Sequence, residues 1–336
     1  MQKASREAFF SAFGRGFVRL EVSYRLYYNK YVIFRQVGYG FMDNSALPIN
    51  WYPGHMAKTK RILSDQIKKI DLVIELCDAR LPHSSRNPVI RQLAAGRKRI
   101  VLLNKSDLAD PSETSKWLKA IRKDGTETYA IESTRLKTKE LIQIIQNSTK
   151  ESVDKALARG IRKTVRVMVL GVPNVGKSTF INSLKQKSTA RTGDRPGVTK
   201  SNQWIRISPY LELMDTPGML WPRLDDQLAA KRLCYIGSVK DDVADPYMLA
   251  LSLLEELEDI CPDAVTDRFH FEDSSLKGQS LMDAVCKGRG WLLRGNEYDY
   301  DRAARIILDE FRGGKLGRIT LEKAEEKESA VKEGLE

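Results

Sequence analysis

The sequence predicts an α/β fold: a mostly parallel sheet with helices on both faces, followed by a helical C-terminal region. Three observations carry this. Strand and helix signals alternate between residues 51 and 235. A glycine-rich loop at 171–178 sits between an apolar run and a helical pattern. Beyond residue 235 the strand signals stop and helical candidates follow one another.

In order along the chain, a helix is expected over 56–70. The run 71–79 follows, with Leu72, Val73, Ile74, Leu76 and Cys77 nearly continuous, as suits a strand covered on both faces. A short helix at 87–95 leads to a strand at 99–103, which runs straight into Asn104-Lys105-Ser106-Asp107. Then come a helix at 112–124, a strand at 127–131, a long helix at 138–157 and a strand at 166–170. The glycine-rich loop opens a helix at 177–184, and strands at 202–207 and 211–214 end at Asp215. The last four candidates, 228–237, 246–259, 279–288 and 300–311, are helical. Four parts result: an extension at 1–48 with no clean period, an α/β domain at 49–222, a helical domain at 223–320 and a charged tail at 321–336.

Composition narrows the class. With 336 residues and 42% hydrophobic content the chain is long enough for about two domains, and no apolar run approaches the length that spans a bilayer. Cys77, Cys234, Cys261 and Cys286 are too scattered for a metal knuckle or a disulfide framework, so reduced thiols and a cytoplasmic, monomeric protein are expected. The net charge of +12 is unevenly placed: residues 81–105 carry no acid, whereas residues 221–283 carry fourteen acids against six bases. A basic half of this kind attracts a polyanion, and nucleic acid or a ribonucleoprotein is the expected partner.

Gly171-Val172-Pro173-Asn174-Val175-Gly176-Lys177-Ser178 fits the phosphate-loop pattern at every fixed position, between a strand and a helix. Such a loop points backbone N–H groups at a β-phosphate, and the helix start adds unpaired donors and a favourable dipole. Lys177 is expected on the β/γ oxygens and the Ser178 hydroxyl on Mg²⁺, with Val175, Gly176 and Thr179 completing the cradle. Asn104-Lys105-Ser106-Asp107 selects the base. The Asp107 carboxylate can accept from guanine N1–H and the 2-amino group, and adenine would leave that charge unpaired. Lys105 is expected along the purine and against the phosphate loop, and Asn104 beside N7. Ser133 stands either as an ordinary strand end or beside a backbone donor to guanine O6. Asp215-Thr216-Pro217-Gly218 ends an apolar strand, with Asp215 on a Mg²⁺-bound water and the Gly218 N–H on the γ-phosphate. Thr199 lies in the interval where a second Mg²⁺ hydroxyl ligand belongs. The base-reading loop precedes the phosphate loop, the reverse of an ordinary small GTPase. A closed arrangement of the same strands survives this if the old ends are joined and the chain is opened elsewhere.

With these loops in that order the chain resembles the circularly permuted GTPases of ribosome assembly, and within them the ribosome biogenesis GTPase A group. The likeness also rests on 51–56 (Trp-Tyr-Pro-Gly-His-Met), Asp78-Ala79-Arg80, the run from Asp215 to Pro222, and Gly314-Lys315-Leu316-Gly317-Arg318. The resemblance implies a circularly permuted Ras-like P-loop GTPase domain followed by a small helical C-terminal domain. It also implies a GTP-driven role in late maturation of the large ribosomal subunit, with the GTP form binding a pre-subunit, its ribosomal RNA and ribosomal proteins. Met219 occupies the position where Ras-like enzymes carry a water-orienting glutamine, so slow turnover is expected, with help from elsewhere. Asn174 is a candidate ligand for an activating K⁺. His55 is either a water-orienting group or a residue that packs or caps the helix starting near Met56. At the C-terminus, Tyr300, Ala303, Ala304, Ile307, Leu308 and Phe311 form one apolar helix face, with Arg302, Arg305 and Arg312 expected towards RNA. The basic glycine loop 312–318 is a second candidate RNA contact. An alternative function is an RNA-binding scaffold that nucleotide stabilises, with hydrolysis incidental.

Overall fold

The computed structural model describes residues 55–135, 138–188, 203–220, 226–239 and 243–324, all within one compact unit that begins at Ile49. The expectations for the 1–48 extension, Thr199, Trp221-Pro222 and residues 325–336 lie outside the described residues, as do the side chains of residues 55–60.

Helix α1 (His55–Gln66) runs through a 3₁₀ turn into β1 (Leu72–Asp78). Then come α2 (Pro88–Leu93), β2 (Lys98–Asn104), α3 (Pro111–Lys123), β3 (Glu127–Ala130), α4 (Thr138–Leu157) and β4 (Val165–Leu170). Helix α5 (Lys177–Ser188) is followed by β5 (Gln203–Ser208) and β6 (Leu211–Asp215). The helical region comprises α6 (Gln227–Tyr235), α7 (Pro246–Ile260), α8 (Pro262–Phe269), α9 (Gly278–Arg289) and α10 (Tyr300–Arg312). Of these, α8 was not anticipated. It is short, and its only buried residues are Val265 and Phe269, one i,i+4 pair, too few for a visible period.

The sheet order is β3-β2-β1-β4-β6-β5, parallel throughout except for the β5–β6 hairpin. All seven residues of β1 are buried, as a central parallel strand requires. Two of them are acids. Glu75 is held by Arg99 at 2.6 Å and by the Asn87 N–H at 3.1 Å, so the strand buries a compensated charge.

Helix starts follow one local rule. Asn87, Asp110 and Asp245 each cap a helix through the side-chain oxygen, and proline follows directly at the first helical position. Asp226 and Asp299 cap α6 and α10 in the same way without the proline. In the helical region α7 is central. Its Leu249, Ala250, Leu253, Leu254 and Leu257 pack in one apolar cluster with Ala303, Ala304, Ile307, Leu308 and Phe311 of α10. The same cluster continues into Leu72, Ile74, Val167 and Val169 of the sheet, so sheet and helices share a core.

Residues 321–324, expected to open a charged tail, are built into the fold. Leu321, Glu322 and Ala324 are buried. The Leu321 N–H donates to Arg80 O at 3.0 Å. Glu322 accepts from the His83 N–H, the Ser84 N–H and the Ser84 hydroxyl, while its carbonyl accepts from Trp117 Nε1 at 2.8 Å. A charge-rich composition hid a strap whose apolar residues, Ile319 and Leu321, alternate with buried polar ones.

Candidate nucleotide site

The carboxyl ends of β1, β2, β3, β4 and β6 share one edge of the sheet, the edge where open α/β sheets bind ligands. That edge carries Asp78-Ala79-Arg80, the base-reading loop, Ser133, the phosphate loop and Asp215.

One amide joins three of these loops. Asn104 Oδ1 accepts from the Ser133 N–H at 3.0 Å and from Ser133 Oγ at 2.7 Å, and Asn104 Nδ2 donates to Val175 O at 2.7 Å. The base-reading and phosphate loops therefore touch despite lying 71 residues apart. Ser133 locks Asn104, so its own N–H is committed to that amide and not turned to a base oxygen. Gly176 has φ +96°, and a Cβ there would run into the Asn104 amide, so glycine is required.

Lys105 has φ +58° and donates through Nζ to Asn174 O at 2.8 Å. The same ammonium lies 3.1 Å from Asp78 Oδ2, and Arg80 grips both Asp78 oxygens at 2.9 Å. Burial pushes the Asp78 carboxyl up, but the charges of Arg80 and Lys105 outweigh it and hold the group well below the usual carboxylate range. Asp107 is exposed beside this network.

Lys177 opens α5 and is buried, with Nζ donating to Val172 O at 2.7 Å and to Gly171 O at 3.1 Å. Burial lowers its pKa to about 8, against an upward pull from the charge of Asp215. Ser178 and Thr179 are exposed on the first turn of α5. Asp215 is buried at the end of β6 in register with Val169, whose carbonyl accepts from Thr216 Oγ1 at 2.6 Å. Gly218 lies against the phosphate loop, where a Cβ would come within 2.8 Å of Pro173 Cα. Met219 is buried with Leu63, Met168 and Leu170, its N–H donating to Gly171 O at 3.1 Å. Its carbonyl accepts from Asn87 Nδ2 at 2.8 Å.

The helical region reaches the same loop. Ser238 Oγ donates to Pro173 O at 2.6 Å, and Asn174 Nδ2 donates to Gly237 O. Arg312, expected towards RNA, instead turns inward and donates to Tyr235 O and Cys234 O, both at 3.0 Å. Those carbonyls lie at the end of α6, where the intrahelical ladder stops; Cys234 O also accepts from the Gly237 N–H at 2.9 Å, and the guanidinium adds charged donors to both. Arg80 Nη1 does the same for α10, donating to Phe311 O at 2.7 Å. In the loop 312–318, Gly313, Lys315, Gly317 and Arg318 are exposed, and Arg318 donates to Ala109 O and Ser106 O, at 3.1 and 3.2 Å. Arg302 and Arg305 remain exposed. Sequence reasoning missed Gly237, Ser238 and Glu322 entirely, and no local motif marks any of them.

Ser178 on the first turn of α5 and Asp215 at the end of β6 offer hard oxygen donors, the donor chemistry that Mg²⁺ prefers, so the residues present fit that ion. Among the described residues no cluster of three or more His, Cys, Asp or Glu forms a separate metal site, and no helix is long and apolar enough to cross a membrane.

A phosphate loop, a carboxylate at the next strand end and a base-reading loop delivered from the other half of the sheet define a circularly permuted P-loop GTPase. Residues 166–259 match the family model described as 50S ribosome-binding GTPase. The chain is 42% identical over 280 residues to ribosome biogenesis GTPase A of Bacillus cereus, covering 83% of this chain and 95% of the relative. It is 31% identical over 297 residues to bovine mitochondrial ribosome-associated GTPase 1, covering 81% and 88%. A crystal structure of GNP-bound YlqF from T. maritima aligns with TM-score 0.58 at 25% identity, over 80% of this chain and 99% of that one. The chain belongs to the ribosome biogenesis GTPase A family, and it is a GTP-hydrolysing enzyme.

Proposed function

We propose that the protein is a GTP-driven switch in late assembly of the large ribosomal subunit. In this reading the GTP form binds a precursor particle through its ribosomal RNA and proteins, and hydrolysis releases it. The helical region at 223–320 is the part turned to the particle, and the α/β part at 49–222 is the clock. One observation carries the reading: the phosphate loop is bonded to the start of the helical region by Ser238 and Asn174, and to α10 through Lys105, Asp78 and Arg80. Whatever moves the phosphate loop strains that ring.

Within the site, Lys177 neutralises β/γ oxygens, and the α5 start with Val175, Gly176 and Thr179 supplies N–H donors. Ser178, Asp215 and Thr199 hold Mg²⁺, partly through water, and the ion neutralises charge on the phosphates when bound. The Gly218 N–H reports the γ-phosphate, and Asp107 reads the guanine edge. Met219 is buried among apolar side chains and brings no polar atom to a water, so turnover is slow until the particle acts. His55 and a K⁺ held beside Asn174 are the two candidates for the missing assistance. Equal turnover in KCl and NaCl at matched ionic strength removes the ion, and full particle-stimulated activity in His55→Ala removes the histidine.

The buried Met219 also favours a second reading, a nucleotide-stabilised RNA-binding scaffold with incidental hydrolysis. Co-sedimentation with large-subunit precursors, with phosphate release followed in the same fractions, separates the two. The switch requires tighter association with a non-hydrolysable GTP analogue than with GDP, together with multiple turnovers. Equal association in both nucleotides ends the switch reading.

A further inference from the structure

The base-reading loop would carry Asp107 on a short, exposed turn, where a carboxylate that must meet two donors at once needs a fixed backbone. On one side Ser106 is tied to the end of β3, its N–H and its hydroxyl donating to Ile131 O at 3.2 and 3.0 Å. The other side is held by residues more than 200 positions away in sequence. Arg318 Nη2 donates to Ser106 O and Nε to Ala109 O. The Ile319 N–H donates to Leu108 O at 3.0 Å, and Thr320 Oγ1 accepts from the Asp110 N–H at 3.1 Å. Leu108 packs at Gly314, where φ is +71° and a Cβ would collide with the leucine side chain. Four backbone groups on both sides of Asp107 are thus fastened to the segment 318–320.

We propose that Arg318 is a specificity-determining positioning residue: its guanidinium splints the turn so that Asp107 meets guanine N1–H and the 2-amino group together. The fork suits the task. Two N–H groups on different nitrogens, held in fixed geometry, span the carbonyls of residues 106 and 109, whereas a lysine would have to meet both from one nitrogen on a flexible stem. The guanidinium also places a positive charge beside the turn that carries the reading carboxylate. Arg318 touches neither phosphate nor Mg²⁺ in this account, so its loss is felt in the choice of base and not in the chemistry on the γ-phosphate.

The proposal rests on the guanine-reading role of Asp107, and the experiment keeps the two apart. Affinities for GDP, IDP and XDP are measured by calorimetry on the full chain for wild type, Asp107→Asn, Arg318→Ala and Arg318→Lys. IDP lacks the 2-amino group, so a misplaced carboxylate costs GDP two contacts and IDP one. If Asp107 reads the base, wild type prefers GDP over IDP and Asp107→Asn moves the preference to XDP; failure of both overturns the underlying reading. Given that control, Arg318→Ala is expected to weaken GDP about tenfold and IDP about threefold or less, shrinking the wild-type preference, with Arg318→Lys falling between. An unchanged GDP-to-IDP ratio in Arg318→Ala overturns the proposal, whether the two affinities stay put or fall in parallel. A parallel fall identifies a general folding role, which the melting temperature without nucleotide reports independently.

Discussion

If Lys177 meets the phosphates as proposed, its lowered pKa should make nucleotide affinity fall as pH rises. Burial holds its pKa at about 8 without nucleotide, where its ammonium donates to the carbonyls of Gly171 and Val172. A bound diphosphate would place anionic oxygens at the ammonium and return the pKa towards its ordinary value, so binding draws in a proton wherever the free protein has lost one. With a free-state pKa near 8, the protonated fraction falls from about 0.9 at pH 7 to about 0.25 at pH 8.5, which raises the dissociation constant about fourfold, or about 0.8 kcal/mol. Calorimetry of GDP binding in two buffers of different ionisation enthalpy measures the coupled proton directly: about 0.1 at pH 7 and about 0.75 at pH 8.5, a range in which the base itself stays protonated. Folding of the free protein runs the opposite way. The folded pKa lies below the unfolded one, so the unfolded chain holds more protons between about 8 and 10.5, and this group's contribution to stability rises with pH there. Proton uptake that does not grow between pH 7 and 8.5, or that grows equally in Lys177→Met, would refute the assignment.

Other perturbations test the scaffold around the site. Asn104→Ala removes three buried hydrogen bonds and leaves the Val175 carbonyl and the Ser133 donors unmatched; urea denaturation should show a loss of about 2–4 kcal/mol, with weaker binding of every nucleotide tried. Arg80→Met leaves the buried Asp78 carboxylate with Lys105 as its remaining cation and should cost up to about 3–5 kcal/mol, whereas Arg80→Met with Asp78→Asn should cost clearly less than the sum of the single changes; additive costs would mean the pair is not coupled. Truncation after Thr320 uncovers the His83 and Ser84 donors and the Trp117 indole, and should lower the melting temperature and speed hydrogen exchange at 80–85 more than at 246–260.

The α/β architecture was legible because each strand at the site ends in a motif whose chemistry is local. Asn104-Lys105-Ser106-Asp107 and the phosphate loop each announce themselves from a few consecutive residues, and apolar runs such as 72–77 mark buried parallel strands directly. What binds those loops together was not legible. Arg312 and Arg318 read as RNA contacts, and Arg80 only as part of a family motif, because composition says nothing of the carbonyls they meet at helix and loop ends more than 70 residues away. Glu322 was lost in a charge-rich run for the same reason: in the sequence it is one acid among several and leaves no period, although its side chain is buried. The phosphate-loop contact of Ser238 follows a short helix and depends on where α6 stops, which a sequence boundary good to a few residues cannot fix.

The strap at 318–324 also orders events in time. A chain growing from its N-terminus completes β2 and its recognition turn early, and the phosphate cradle some seventy residues later. The segment proposed to steady the turn is made after both. A nascent chain stopped just after β6 would hold the groups that grip phosphate but only half of the scaffold behind its base-reading turn. In the proposed reading, discrimination among purines would come only with the segment 318–320, after the helices that would meet a particle have been built.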